Sequence, residues 1–331
     1  MPTEVISDNR FEFHDMDLAV HRHSFARDVA SGLTAQQKWL PPKYFYDERG
    51  SELYEQICAL PEYYLYRAEM EILSTYAAEI HAEIGHLALV EFGSGNARKT
   101  RHLLAAYERA GQLFRYCPVD ISRKILLETA HEMLREYTNI EIRAMHTDFA
   151  GQPEVIQALQ LEKKAVAFLG SSLGNFTPEE SIDFLRRTAA ILGPEDVFLL
   201  GIDLKKSPAI LVPAYDDARG ITAAFNLNVL HRINDELGGR FDEQSFEHVA
   251  VYNSELGRIE MHLRSRLAQH VPIVKIEQAI SFAKDETIHT ENSYKYTEEE
   301  VRNLGYEANL VLCRTWFDSR HYFLVALFRS R

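Results

Sequence analysis

With 331 residues, 46% of them hydrophobic and 26% charged, the chain has apolar material for about two packed domains. Its net charge of −13, from 36 basic against 49 acidic residues, repels phosphate backbones and argues against a nucleic-acid partner, and no apolar run approaches the ~20 residues of a membrane helix. Cys58, Cys117 and Cys313 are scattered and odd in number, which excludes a disulfide framework; with a polar, acidic opening unlike a targeting peptide, they point to a cytoplasmic protein.

Residues 1 to about 40 are polar with scattered apolar positions and read as an irregular arm followed by a helix beginning near Thr34. From residue 88 the texture changes. Apolar runs at 88–92, 114–121, 140–149, 164–172 and 197–204 alternate with amphipathic stretches, the pattern of a parallel sheet flanked by helices. A helix over 99–110 puts Leu103, Leu104 and Tyr107 on one face and stops at Gly111. Another over 123–137 follows Ser122 as its N-cap. A third over 178–192 opens with Thr177-Pro178-Glu179-Glu180, an N-cap, a proline at the first helical position and a capping-box glutamate.

After Lys205 the rhythm breaks, and residues 206–295 mix helical and strand-like runs. Runs at 309–317 and 321–328, three residues apart, then read as an antiparallel hairpin. The predicted fold is α/β: a mostly parallel seven-stranded sheet closed by that hairpin, with 206–295 inserted as part of a second domain. That strand count suits a methyltransferase better than a dehydrogenase.

Where the first strand turns into a helix stands Gly93-Ser94-Gly95-Asn96, so that the backbone turns sharply and a ligand lies against it without Cβ interference. Arg98 replaces the third glycine of a dinucleotide fingerprint, and no Gly-Lys-Ser/Thr ends the loop as in a P-loop. Asp120 at the end of the second strand is placed to accept from both hydroxyls of a ribose. Asp148 with Phe149, closing the third strand, suits adenine's amino group and ring face. Alone, each of these would be an ordinary turn or cap. In this order they define a nucleoside-cofactor site, for S-adenosylmethionine before NAD. At the fourth strand end, Leu169-Gly170-Ser171-Ser172-Leu173-Gly174-Asn175 presents an amide able to hold the α-amino and carboxylate groups of an amino acid, unless Asn175 only fills a left-handed turn position.

Four stretches escape periodicity: Lys43-Tyr44-Phe45-Tyr46-Asp47-Glu48-Arg49-Gly50-Ser51, Leu60-Pro61-Glu62-Tyr63-Tyr64, Pro213-Ala214-Tyr215-Asp216-Asp217 and His289-Thr290-Glu291-Asn292-Ser293-Tyr294-Lys295. In this order around the glycine turn they resemble the histidine-specific N-α-methyltransferases of ergothioneine biosynthesis, from about Lys43 to the end of the chain. The resemblance implies a Rossmann-type class I methyltransferase domain (68–205 and 296–331) and a substrate-binding domain (1–67 and 206–295). It implies three methyl transfers from S-adenosyl-L-methionine to free L-histidine, giving hercynine. Cofactor residues implied are Gly93, Gly95, Lys99, Asp120, Asp148, Phe149 and Gly170. Asn175 and Tyr215 take the main-chain end of the amino acid, Tyr46 and Tyr63 border the site, and Tyr46 and Asn175 carry the catalytic role. Glu291 and Ser293 take the imidazole, with Met261 packed beside the ring; Asn292 stands where some members carry an apolar residue. The protein is expected to act as a monomer. The alternatives are an N-methyltransferase for tyrosine or tryptophan, a non-catalytic nucleoside-binding regulator and, more remotely, an NAD oxidoreductase. Glu291 could also be a helix-surface partner of Lys295. None of the 14 histidines, His21, His23, His81 and His86 among them, falls in a ligand motif, and no metal is expected.

Overall fold

The computed structural model describes residues 2–7, 9–16 and 19–331, with side chains described for 9–16 and 25–331. The chain forms two compact units: Met1–Leu18, Leu65–Lys205 and Lys295–Arg331 make the first, Ala19–Tyr64 and Lys206–Tyr294 the second.

The first unit is built on one nine-stranded sheet. Its order is Pro2–Ser7, Phe11–Met16, Ile140–His146, Phe114–Asp120, Ala88–Phe92, Lys164–Phe168, Val197–Asp203, Phe323–Ser330 and Leu310–Phe317. The six strands from Phe11–Met16 to Val197–Asp203 run parallel, and the final hairpin is antiparallel. Strands Lys164–Phe168 and Val197–Asp203 are buried at every position, as strands covered on both faces must be. Helices Arg101–Arg109, Arg123–Glu136 and Pro178–Ala190 alternate with the strands, each burying the apolar stripe read from the sequence. In the last, Thr177 Oγ1 accepts from Glu180 N–H at 3.2 Å while Glu180 accepts from Thr177 N–H at 2.8 Å, closing the expected capping box.

The amino-terminal reading needs correction. The helix ends at Thr34, spanning Ala19–Thr34, and Pro2–Ser7 with Phe11–Met16 form a hairpin that extends the sheet, raising the strand count from seven to nine. Residues 1–18 therefore group with the sheet and not with the second unit. The physical reason is alternation: Phe11 and Phe13 are buried while Glu12 faces outward, and Asp15 anchors the edge through His146 Nδ1 at 2.9 Å.

Sheet order reverses at Ala88–Phe92, whose neighbours are the strand that follows it in sequence on one side and Lys164–Phe168 on the other. The crevice outside the carboxyl ends of these strands is the place where open α/β sheets bind ligands.

In the second unit, a sheet of order Lys38–Trp39, Thr287–Tyr294, Arg258–Ser265, Phe246–Asn253 carries helix Ile221–Leu237, which buries Phe225, Val229, Leu230 and Ile233. Asp217 accepts from the N–H groups of Arg219, Ile221 and Thr222 and so caps this helix. Helix Glu48–Cys58 is capped by Asp47, whose Oδ1 accepts from Gly50 N–H at 2.7 Å and from Asn228 Nδ2 at 2.7 Å. Gly50 is required by close approach: a Cβ there would lie 1.6 Å from Phe45 O.

Candidate functional site

In the first unit, strand Ala88–Phe92 runs into Gly93 and Gly95, with φ of +67° and +51°, left-handed backbone that favours glycine. The turn is pinned to the next strand: Gly93 N–H donates to Val119 O and Gly95 N–H to Asp120 Oδ2, both at 2.8 Å. Asp120 Oδ1 accepts from Ser122 N–H at 2.9 Å. Desolvation raises the Asp120 carboxyl above its usual range, against the pull of these amides. A Cβ on the exposed Gly93 would meet the Phe149 ring at 3.6 Å, and Phe149 stacks on Phe92 with centroids 4.8 Å apart. Asp148 beside it is half-buried. A bare glycine backbone, a half-exposed ring and two strand-end carboxylates are the kinds of group that could hold a nucleoside.

Beneath the turn, Glu91 is buried and pushed up to about 7 by desolvation, while Thr100 and Tyr116 donate hydrogen bonds to its two oxygens. Across the switch point, Gly170 and Ser171 follow Lys164–Phe168 with φ of +81° and +60°. Ser171 Oγ accepts from Asp203 N–H at 2.9 Å, which fixes this loop to the neighbouring strand. Asn175 ends the short 3-10 turn Ser172–Asn175, half-buried and without positive φ, so the left-handed position is taken by Ser171 instead.

Sequence reasoning missed Glu69. It lies on helix Tyr64–Ile84, 1% exposed; its Oε1 accepts from Gly170 N–H at 2.8 Å and its Oε2 pairs with Lys99 Nζ. One buried carboxylate thus joins the lysine after the glycine turn to the loop after the fourth strand. The signal was present: Leu65, Ala68, Ile72, Leu73, Ala77 and Ile80 are buried on one helix face, and Glu69 is an acid inside that stripe.

In the second unit, Tyr215 Oη lies 2.7 Å from Ser293 Oγ with both residues buried. Glu291 and Ser293 alternate on strand Thr287–Tyr294, and Met261 is the cross-strand partner of Glu291, so Met261, Glu291 and Ser293 share a sheet face. Lys295 pairs with Asp203 at 2.8 Å, both fully buried, and Glu291 is on no helix; the helix-surface alternative is excluded. Tyr215 also meets Tyr63 edge-to-face at 6.2 Å. Tyr63 meets Tyr54 at 6.3 Å and Tyr54 meets Tyr46 at 5.6 Å, a run of rings in which Tyr54 was not foreseen. Burial raises the Tyr63 hydroxyl well above its usual range, with Tyr54 and Tyr215 adding to it, so it stays neutral.

Among the other histidines, His81 packs edge-on against Tyr107 at 4.4 Å and His86 Nε2 lies 2.7 Å from Leu113 O, both structural contacts. The side chains of His21 and His23 lie outside the described residues. Sequence spacing did not bring out Glu260, His262 and His289, whose potential ligand atoms all lie within 4.8 Å of one another. Among the described residues no helix is long and apolar enough to cross a membrane.

Residues 25–330 match the family model described as histidine-specific methyltransferase, SAM-dependent. The chain is 46% identical to a histidine N-alpha-methyltransferase of Mycolicibacterium smegmatis over 88% of its length and 90% of that protein's. It is 43% identical to the protein of the same name from Mycobacterium tuberculosis, over 91% and 93%. It also matches a third of the ergothioneine biosynthesis protein 1 of Neurospora crassa, at 34% identity over 88% of this chain.

Proposed function

The chain belongs to the S-adenosylmethionine-dependent, histidine-specific methyltransferases, and from that premise we infer a division of labour between its units. The enzyme methylates the α-amino group of L-histidine, with S-adenosyl-L-methionine as donor. In our reading Gly93, Gly95, Lys99, Asp120, Asp148, Phe149 and Gly170 hold the donor, whose sulfonium supplies the methyl group. Glu291 and Ser293 hold the imidazole, and Asn175 and Tyr215 the main-chain end of the amino acid. Three successive transfers give hercynine.

The observation that carries the imidazole assignment is the shared face of Glu291, Ser293 and Met261 beside the Tyr215 hydroxyl. A carboxylate accepting from one ring nitrogen and a hydroxyl paired with the other suit a ring with two unlike nitrogens. An aliphatic thioether against the ring plane adds apolar contact without competing for either. An indole offers a single N–H, and a phenol carries its donor and acceptor on one oxygen, so neither ring spans the two polar groups as the separated nitrogens of imidazole do. A group left unsatisfied costs about 1–3 kcal/mol, which favours histidine over tyrosine or tryptophan.

Methyl transfer is an in-line displacement, so the protein's task is alignment of the amine with the donor methyl. The amine must be neutral to attack, whereas in water near pH 7 it is an ammonium. Neutral oxygen acceptors in a desolvated site lower the cost of losing that proton. The Asn175 carbonyl and the tyrosine hydroxyls are such acceptors, and burial keeps the Tyr63 hydroxyl uncharged. The product carries a fixed positive charge, which the faces of Tyr46 and Tyr63 stabilise by about 1–2 kcal/mol where water is excluded. Partly methylated intermediates are retained by the same attraction.

Mass spectrometry of histidine incubated with enzyme and donor tests the reading. Addition of 3 methyl groups to the α-nitrogen is expected from the valence of an amine becoming a quaternary ammonium, about 3 equivalents of S-adenosylhomocysteine being released. Methylation of tyrosine or tryptophan in preference to histidine overturns the imidazole assignment.

A further inference from the structure

Strand Thr287–Tyr294 carries an irregularity that sorts its side chains. Against strand Arg258–Ser265 the register runs Ser293 with Ile259, Asn292 with Glu260 and Glu291 with Met261, then skips Thr290 so that His289 pairs with His262. Regular alternation would put His289 on the face of Glu291. The bulge moves it to the opposite face, beside His262 and Glu260. Thr290 Oγ1 donates to Met261 O at 3.0 Å and holds the bulge in place.

On that face the two imidazole rings stack with centroids 4.7 Å apart, and His262 Nε2 stands 3.2 Å from Glu260 Oε2. Tetrahedral zinc with bonds near 2.0–2.1 Å sets neighbouring ligand atoms about 3.4 Å apart. The potential ligand atoms of the three groups all lie within 4.8 Å of one another, near that spacing. The surroundings orient ligands as metal sites do. His289 Nε2 lies 3.1 Å from Glu291 O, which fixes its N–H there and leaves Nδ1 as the lone-pair nitrogen. Glu260 Oε1 is held by Asn253 Nδ2 at 3.0 Å and Arg258 at 2.7 Å, leaving Oε2 on the imidazole side. Two buried polar atoms on the same rungs, His262 Nδ1 and Asn292 Oδ1, have no hydrogen-bond partner. Arg258, paired with Glu260 and with Tyr294 Oη at 2.6 Å, is the nearby charge that opposes a cation.

We propose that Glu260, His262 and His289 form a binding site for a divalent cation of the zinc class, on the face of the second unit's sheet opposite Met261, Glu291 and Ser293. Two imidazoles and one carboxylate select zinc or cobalt over calcium or magnesium. The site goes beyond the methyl-transfer reading and does not depend on it.

The test uses the full chain, stripped with chelator and free of histidine, because histidine itself binds zinc. Equilibrium dialysis against zinc chloride is expected to give about 1 equivalent per chain, and Co2+ in its place the intense visible bands of a tetrahedral site. His262→Gln and His289→Gln, each checked for an unchanged melting curve, are expected to weaken zinc at least ~10-fold, and the pair to abolish it. His270→Gln, on strand Gln269–Ile273 of a separate two-stranded sheet, is expected to bind as the parent does. Arg258→Met removes the opposing charge and tightens binding, which a purely structural cluster would not show. If only one of the two single variants folds, its zinc affinity decides alone. No stoichiometric zinc in the parent, or zinc retained by the double variant, overturns the site.

Discussion

Glu91→Gln isolates the electrostatics beneath the glycine turn. The acid sits in the middle of the sheet, 3% exposed, and desolvation lifts it from 4.5 to about 7 even though Thr100 and Tyr116 hydrogen-bond to it. An acid with a raised folded-state pKa binds more protons folded than unfolded throughout that window. Its contribution is therefore fully present below pH 4.5, is lost as pH rises towards 7, and stays lost above. A rise from 4.5 to about 7 corresponds to about 3 kcal/mol. Glutamine keeps the shape and does not titrate, so the parent should lose about 3 kcal/mol relative to Glu91→Gln between pH 4.5 and 7.5. Other titrating groups are common to both proteins and cancel in the difference. Urea unfolding on a Trp39→Phe background reports the first unit, because Trp316 then becomes the remaining tryptophan. A parent–variant difference that stays flat within ~0.5 kcal/mol over this range refutes the reasoning, since it would mean Glu91 ionises alike folded and unfolded.

Glu291→Ala is expected to leave S-adenosylhomocysteine affinity unchanged and to weaken histidine about 10- to 100-fold, read by calorimetry with each ligand separately, because a half-buried carboxylate is lost on the imidazole side alone. Gly50→Ala drives a Cβ to 1.6 Å from Phe45 O and forces helix Glu48–Cys58 off its cap. Destabilisation of at least ~2 kcal/mol is expected from a clash with backbone, seen as early loss of Trp39 fluorescence in urea while Trp316 holds its midpoint.

The alternating half of the first unit was legible because its signals are local. The runs at 88–92, 114–121, 140–149, 164–172 and 197–204 correspond to strands Ala88–Phe92, Phe114–Asp120, Ile140–His146, Lys164–Phe168 and Val197–Asp203. The box Thr177-x-x-Glu180 names its own helix start. Thr34 misled for the same kind of reason. Threonine favours an N-cap, yet here its hydroxyl donates backward to Ala30 O at 2.7 Å, the alternative bond that lets threonine sit at a helix end. The hairpin Pro2–Ser7/Phe11–Met16 was unread because its apolar residues are few, and its docking beside Ile140–His146 joins segments more than a hundred residues apart.

Strand Thr287–Tyr294 shows where sequence reading reaches its physical limit. Spacing two residues apart correctly places Glu291 and Ser293 on one face, and the same rule would add His289 to them. The rule fails at Thr290 because a bulge belongs to a pair of strands, and nothing within one strand's alternation announces it. The skip separates a face of Met261, Glu291 and Ser293 from a face of Glu260, His262 and His289. Inserting one residue between Met261 and His262 would give Thr290 a partner and restore regular pairing, which would carry His289 and His262 to the face of Glu291 and away from Glu260. It would dismantle the cation site and crowd the imidazole-binding face together, so the insertion should lower zinc and histidine affinity at once, whereas His289→Gln lowers zinc alone. Equal effects of the two changes on both ligands would mean that the bulge does not do the sorting.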